Sequence, residues 1–406
     1  MKNDSSHFQL DMTPATSRDS ISPLSRQALL FYLCTLFYWG GVYIYMPILS
    51  PYAKKIGGSL QAVGLVMGAY GLSQLILRVP LGLWSDRLRR RKPFILLGFL
   101  FDGLACLGLL FSESTLALFF SVLSAGVASS MWVAFTVLFS SYFPLSQVGQ
   151  SMSLILFSMR LSQVFANYSG GAIAEAWGWT APFYVGLAIA AVGLALALWI
   201  PERRPEKTSG RSLKNLLRLG RNPRLLAISA FAMLMQFTVF AIIYGFTPIY
   251  AQQLGATKAD LGILLFCFLS STTSTTLISG SLARRTKERR IISAAFVLVG
   301  ISVLATPLVS RLEFLYALLA FNGLGVGFIF PLLMGLAIKP MPLDQQGTAM
   351  GFFQSIYAVG MFLGPVVSGW VGEHLGLSSV FILNGALCLL ASFLTWTGIQ
   401  EDGEKP

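Results

Sequence analysis

Apolar positions along this chain run in blocks too continuous for alternating strands and too long for the helices of a water-soluble domain. Charge-free stretches of 20 residues or more cover 27–53, 56–77, 176–201, 225–257, 261–283, 291–310, 314–338, 345–372 and 375–400. A helix needs about 20 apolar residues to cross hydrocarbon, so each stretch is long enough for one crossing. Residues 114–159 also carry no charge, and the turn-forming run Tyr142-Phe143-Pro144-Leu145-Ser146 divides them between two helices. Two further crossings hold one charge each: 93–112 contains Asp102 and 150–173 contains Arg160. The pattern predicts an all-α membrane protein of twelve transmembrane helices.

Charge then sets the topology. Of the 29 Lys and Arg residues, 23 fall in the tails and in alternate connections if the N-terminus is placed inside, and 4 (Lys54, Lys55, Lys258 and Arg311) fall in the other connections. Basic residues accumulate on the cytoplasmic side of membrane proteins. Both termini are therefore expected in the cytoplasm of a multi-pass plasma-membrane protein. The net charge of +12 is explained by that bias without a nucleic-acid partner. Only 11% of residues are charged and 55% are hydrophobic, with a mean hydropathy of +0.69. That composition excludes both an ordinary soluble globule and a disordered chain. The first 26 residues are polar and mixed in charge, which reads as a tail rather than a signal peptide. The four cysteines lie singly on different predicted helices, so neither a disulfide framework nor a metal site is expected.

The chain also repeats itself at a constant offset of 198 residues. Tyr52-Ala53 matches Tyr250-Ala251, Gly57 matches Gly255, Gly64 matches Gly262, and Gly82 matches Gly280. The register holds without a gap through Gln147/Gln345, Gly149/Gly347, Met152/Met350, Gly171/Gly369, Glu175/Glu373, Gly178/Gly376 and Phe183/Phe381. An ungapped repeat of this length indicates two copies of one structural unit. Six helices per copy, an even number, give both copies the same orientation in the membrane. The expected organisation is a tail (1–26), a six-helix bundle (27–201), a basic linker (202–224), a second six-helix bundle (225–400) and a short C-terminal segment (401–406).

Between predicted helices 2 and 3 the sequence reads Gly82-Leu83-Trp84-Ser85-Asp86-Arg87-Leu88-Arg89-Arg90-Arg91-Lys92. It resembles the G-x-x-x-D-R-x-G-x-R-R/K loop signature of the major facilitator superfamily, with Arg89 at the internal Gly position. Helix 11, with Gly351, Gly360, Gly364-Pro365 and Gly369, resembles a second glycine motif of that superfamily. The resemblance spans residues 27–400. It implies two pseudo-symmetric six-helix bundles that rock about a midplane site. Gly82, Asp86, Arg87 and Arg91 are then expected to form a cytoplasmic gating latch.

Three charged residues remain within hydrocarbon: Arg78, Asp102 and Arg160. Each is costly there, about +2.5 to +3.5 kcal/mol on insertion scales, and needs a partner or water. Arg78 and Asp102 lie at similar depth on neighbouring antiparallel helices, so an intramembrane ion pair is expected, with Asp102 as a protonation switch the alternative. Ser153, Arg160, Gln163, Asn167 and Gly171 fall on one face of helix 5 at helical spacing. The resemblance places that helix beside the central cavity, making Arg160, Gln163 and Asn167 candidate substrate ligands, with an interdomain structural arginine bonded to backbone carbonyls the alternative for Arg160. It also implies that helices 1, 4, 7 and 10 line the cavity, adding Tyr38, Tyr45, Trp132, Gln236, Tyr244 and Asn322. None of these four helices carries an acidic residue within the membrane. The run of seven Ser and Thr residues at 270–276 fits a spanning helix whose hydroxyls bond back to its own carbonyls.

The function expected is a secondary transporter working by alternating access on a small amphipathic organic solute, neutral or anionic, with export preferred. An importer or facilitator of a sugar or organic acid is the alternative within transport. An intramembrane enzyme is disfavoured, because His7 and His374 are the only histidines and no midplane carboxylate pair exists. A receptor is disfavoured too, since the gap-free repeat implies rocking halves. No cofactor is expected. The lipid bilayer and the solute are the expected partners of a monomer, and coupling to a proton gradient and uncoupled transport are both left open by the sequence.

Overall fold

The computed structural model describes residues 22, 24–88, 90–143, 145–202, 221–339 and 341–398, and every regular element among them is helical. The helices make twelve spans. α1 is Arg26–Tyr43 continued by Met46–Lys55, α2 is Leu60–Leu88, and α3 is Lys92–Leu110. α4 is Thr115–Ser130 continued by Trp132–Ser140, α5 is Leu145–Trp177, and α6 is Ala181–Ala197. α7 runs from Pro223–Thr238 through a π-helical stretch, Val239–Phe246, to Thr247–Gln253. α8 is Lys258–Ala283, α9 is Glu288–Ala305, α10 is Leu312–Ile338, α11 is Leu343–Leu375 and α12 is Leu377–Gly398. Much of the expected tail, linker and C-terminal segment lies outside the described residues.

Ten of these spans are long and apolar enough to cross a membrane. The two others differ for separate reasons. α6 is short, 17 residues. α5 has 33 residues, but its polar stripe lowers its hydropathy. Large apolar side chains such as Leu104, Phe120 and Trp396 are exposed on the outer surface, as a lipid-facing perimeter requires. With twelve spans, α1 begins and α12 ends at one end of the molecule, called here the terminal end.

The repeat has a structural cause. Among the described residues, the glycines with positive φ are Gly57, Gly178, Gly255 and Gly376, at 92°, 95°, 88° and 87°. They form two pairs 198 residues apart. Each ends a helix in the left-handed region, where a side chain would be strained. Tyr52 meets Phe183 at 5.3 Å between ring centroids, and their counterparts Tyr250 and Phe381 meet at 5.4 Å. The first helix of each half departs from α geometry at the same place. α1 breaks at Ile44 and Tyr45, while α7 turns π-helical across the equivalent Ile242 and Ile243.

At the far end, opposite the termini, the halves are sealed by one contact used twice. A Cβ on Gly171 of α5 would lie 2.7 Å from both the Cα of Gly262 and the Lys258 carbonyl of α8. In the equivalent contact, a Cβ on Gly64 of α2 would lie 2.2 Å from the Pro365 carbonyl and 3.0 Å from the Cα of Gly369 on α11. Only glycine permits backbones to approach this closely. One turn beyond Gly171 and one turn beyond Gly369 stands a glutamate. Glu175 Oε2 accepts the Lys258 backbone N–H (2.8 Å) and Nζ (3.4 Å), while Glu373 Oε2 accepts the Leu60 N–H (2.7 Å). Each carboxylate thus meets unsatisfied N–H groups and the positive dipole end of a helix from the other half.

The hydroxyl run on α8 behaves as expected. Thr272, Thr273, Ser274, Thr275 and Thr276 each donate to the carbonyl four residues earlier. Gly323 and Gly327 let α10 pack directly on that surface, against Phe268, Thr272 and Thr275.

Candidate functional site

The four helices sealed at the far end separate toward the terminal end and enclose a central cavity of about 690 Å³. Its walls reach Ser153 on α5, Met334 on α10 and Thr348 on α11, near the terminal ends of those helices. On the far side it stops at a layer of rings. Tyr43 and Tyr244 stand 6.1 Å apart across the two halves, and Tyr70 stacks on Phe240 at 5.6 Å. The cavity is therefore open toward the terminal end and closed toward the other. Its volume suits a small organic molecule.

Much of the wall is aromatic or methionine, including Trp39, Trp132 and Phe330 with Met152, Met235 and Met350, and aliphatic side chains such as Val133 and Leu156 extend its apolar surface. Methionine offers a polarizable surface that adapts to irregular apolar shapes. The charged residues among those lining it are Arg78 and Arg160, and no carboxylate is among them. Arg160 is partly buried, and its Nη1 donates to Gln163 Oε1 at 3.0 Å. That hydrogen bond between successive turns of α5 orients the guanidinium but leaves its charge uncompensated.

Of the residues expected from sequence to line the cavity, Arg160, Gln163, Trp132, Gln236 and Tyr244 do so. Four others are placed elsewhere. Tyr38 is fully buried, packs its ring against Phe99 at 5.0 Å and donates its hydroxyl to the Ala128 carbonyl. Tyr45 is fully buried against Phe183. Residues Trp39 and Tyr43, four apart, hold the cavity face of α1, so Tyr38 and Tyr45 turn into the N-terminal bundle. Asn167 is buried beyond the cavity, where it donates to the Gln163 carbonyl at 2.6 Å beside the Gly171–Gly262 contact. Asn322 is buried on the side of α10 facing α9, with Nδ2 3.4 Å from Ser302 Oγ.

The expected Arg78–Asp102 pair is not formed. Arg78 Nη1 donates to the Tyr357 hydroxyl of α11 at 2.5 Å, and the guanidinium carbon lies 5.4 Å from that ring's centroid. Asp102 is fully buried on the other side of the bundle, and neither of its oxygens has a hydrogen-bond partner among the described residues. Its carboxylate packs against α1 so tightly that a Cβ on Gly41 would lie 2.0 Å from Oδ2. Similar depth does not ensure similar direction: the two side chains leave their helices toward different neighbours.

Sequence reasoning also missed the lining role of α2. Tyr70, Gln74 and Arg78 lie four residues apart and all face the cavity, a spacing that the sequence displays. In the expected latch, Gly82 and Asp86 fall within the last turns of α2, the Asp86 side chain lies outside the described positions, and Arg87 is exposed. Arg91 is buried. The backbone N–H groups of Arg91 and Lys92 donate to Glu202 at 2.9 and 3.0 Å, tying this loop to the end of its own half. Among the described residues, no group of three His, Cys, Asp or Glu is placed to hold a metal ion.

A family model described as Major Facilitator Superfamily matches residues 31–255 and 226–406. The chain belongs to that superfamily. Its relatives include the uncharacterized MFS-type transporter MJ1560 of Methanocaldococcus jannaschii, 22% identical over 93% of this chain and 99% of that protein. The inner membrane transport protein YajR of Escherichia coli (strain K12) is 24% identical over 89% of this chain and 80% of its own length. Among solved structures, the nucleoside transporter NupG superposes with a TM-score of 0.73 at 16% identity, covering 92% of this chain and 99% of NupG. A bacterial homolog of the human lysosomal transporter Spinster, in an inward-facing and occupied conformation, gives 0.75 at 13% identity, with 93% and 97% covered. At such identities the structural likeness concerns the fold. This superfamily member is thus a multi-pass membrane transporter of a small molecule and not an enzyme.

Proposed function

We propose that this superfamily member is a secondary active transporter of a small organic anion with an apolar body, working by alternating access. The observation that carries the reading is the wall of the central cavity: among the described residues it holds two arginines and no carboxylate, set among aromatic, methionine, aliphatic and neutral polar side chains. Arginine binds carboxylate, sulfonate or phosphate oxygens through a planar fork of donors. The Trp and Met walls supply the apolar contact that would hold the rest of the molecule. The basic bias of the connections favours the terminal end as cytoplasmic in the plasma membrane, and the described state as inward-facing. Export is the proposed direction, because the open cavity is accessible from the compartment where an exporter loads. One chain contains both halves of the cavity, which supports a monomer as the working unit. Asp102 is the candidate site if a proton is coupled.

The test is counterflow in proteoliposomes holding the purified protein. Vesicles preloaded with unlabelled naphthalenesulfonate, an aryl phosphate or an aryl carboxylate are diluted into the labelled compound. Protein-dependent accumulation of at least one of these anions is expected. Accumulation of neutral aryl compounds alone would overturn the anion reading.

A further inference from the structure

Arg78 is an unusual wall residue. It is 9% exposed, its Nε has no hydrogen-bond partner among the described residues, and its contact to the opposite half is a neutral phenol, Tyr357. A guanidinium at this depth is costly unless its charge and all its N–H groups are satisfied. The described arrangement satisfies them only in part. Nη1 is bonded to Tyr357, while Nε remains unpartnered within a side chain that faces the cavity. Gln74, one turn back on α2, and Gln354, three residues before Tyr357 on α11, line the same wall. They extend it with neutral groups that both donate and accept hydrogen bonds.

We propose that Arg78 and Tyr357 form an anion-binding subsite that the sulfonate, phosphate or carboxylate of the solute occupies, so that the bound anion bridges α2 and α11. The bridge matters for coupling because these two helices belong to opposite halves and are sealed at the far end by the Gly64–Gly369 contact. An anion on Arg78 supplies charged acceptors in place of the phenol oxygen, and hydrogen bonds between charged groups are shorter and stronger than those to neutral ones. Solute binding therefore changes the contact between the halves at the place where they begin to separate. Arg78 is a specificity-determining residue in this account: it selects solutes with an anionic group over neutral ones of the same shape.

The inference rests on the reading of the cavity as an anion site, and the experiment separates the two. Binding of naphthalenesulfonate and of the uncharged naphthalenesulfonamide is measured by equilibrium dialysis on purified wild-type protein and on Arg78→Gln, Arg78→Lys and Arg160→Gln. Wild type is expected to prefer the sulfonate. Arg78→Gln should reduce that preference by about 10- to 100-fold, the scale of a charged hydrogen bond, while sulfonamide binding stays within about two-fold. Arg78→Lys, which keeps the charge, should recover part of the preference. Retained sulfonamide binding shows that Arg78→Gln still folds. If Arg160→Gln loses the preference and Arg78→Gln keeps it, the subsite is overturned and the anion reading stands. If wild type shows no preference, both are overturned.

Discussion

Gly171→Val is expected to lower transport at least about 100-fold while leaving the protein folded and membrane-inserted. Its Cβ would meet the Cα and backbone nitrogen of Gly262, both at 2.7 Å, and the Lys258 carbonyl at 2.7 Å. These are backbone atoms of the opposite half, which no rotamer change can move aside. The helices must separate at the far end, and the described conformation becomes inaccessible. A 100-fold change in the balance of two conformations corresponds to about 2.7 kcal/mol, less than the strain of placing a β-branched side chain in such a contact. Gly64→Val should act in the same way, because its contact with α11 is the pseudo-symmetric copy. The damage is confined to the junction between halves, so each six-helix bundle keeps its own core. Gly335→Ala is the control: a Cβ there has nothing within 4 Å, and transport should stay near wild type. Counterflow together with size-exclusion chromatography checks all three. Normal transport by Gly171→Val would show that the far-end contact can remain open throughout the cycle.

Arg160→Gln carries the second large effect. The guanidinium faces the cavity with one described hydrogen bond, to Gln163 on its own helix. Its removal leaves no carboxylate of the wall unpaired, because none is present among the described lining residues. Folding should therefore tolerate the change better than it would the loss of one member of a buried ion pair, which costs about 3–5 kcal/mol. Transport of an anionic solute should fall about 100-fold or more, and Arg160→Lys should retain a measurable part of it. Measurement of flux beside the melting temperature of the purified variant distinguishes the outcomes. A large drop in stability would make Arg160 a structural strut instead of a ligand.

The architecture was legible in the sequence because hydrocarbon imposes a length on every crossing and the positive-inside bias marks alternate connections. The ungapped repeat was legible for a geometric reason that only coordinates explain. Gly57, Gly178, Gly255 and Gly376 hold positive φ at helix ends, while Gly64, Gly171, Gly262 and Gly369 lie where backbones touch. The site was less legible. Depth along a helix can be counted from its ends, which is why Arg78 and Asp102 were expected at similar levels. Azimuth cannot be counted in the same way, and it turns Arg78 to Tyr357 and Asp102 to Gly41. The same loss of direction placed Tyr38 and Tyr45 in the cavity, whereas the lining face of α1 carries Tyr43. The break in α1 at Ile44 and Tyr45 and the π-helical stretch in α7 rotate side chains away from the ideal period. Spacing alone therefore cannot assign faces beyond those points. The polar stripe of α5 was a guide at Arg160 and Gln163, which share one unbroken helix and line the cavity, but not at Asn167, which lies one turn further on and beyond it.

Alternating access around the cavity is tested most directly by two distances measured on one protein. In a background lacking the four native cysteines, spin labels at Gln61 and His374 report the far end of α2 and α11. Labels at Gln150 and Ser281 report the terminal end of α5 and α8; all four positions are exposed. Pulsed dipolar spectroscopy in nanodiscs, with and without naphthalenesulfonate, should reveal two populations. In one the far-end distance is short and the terminal-end distance long, as in the described structure; in the other the order is reversed. The anion should shift both distances in opposite senses. Two distances that lengthen together, or that stay fixed in every condition, would contradict alternating access.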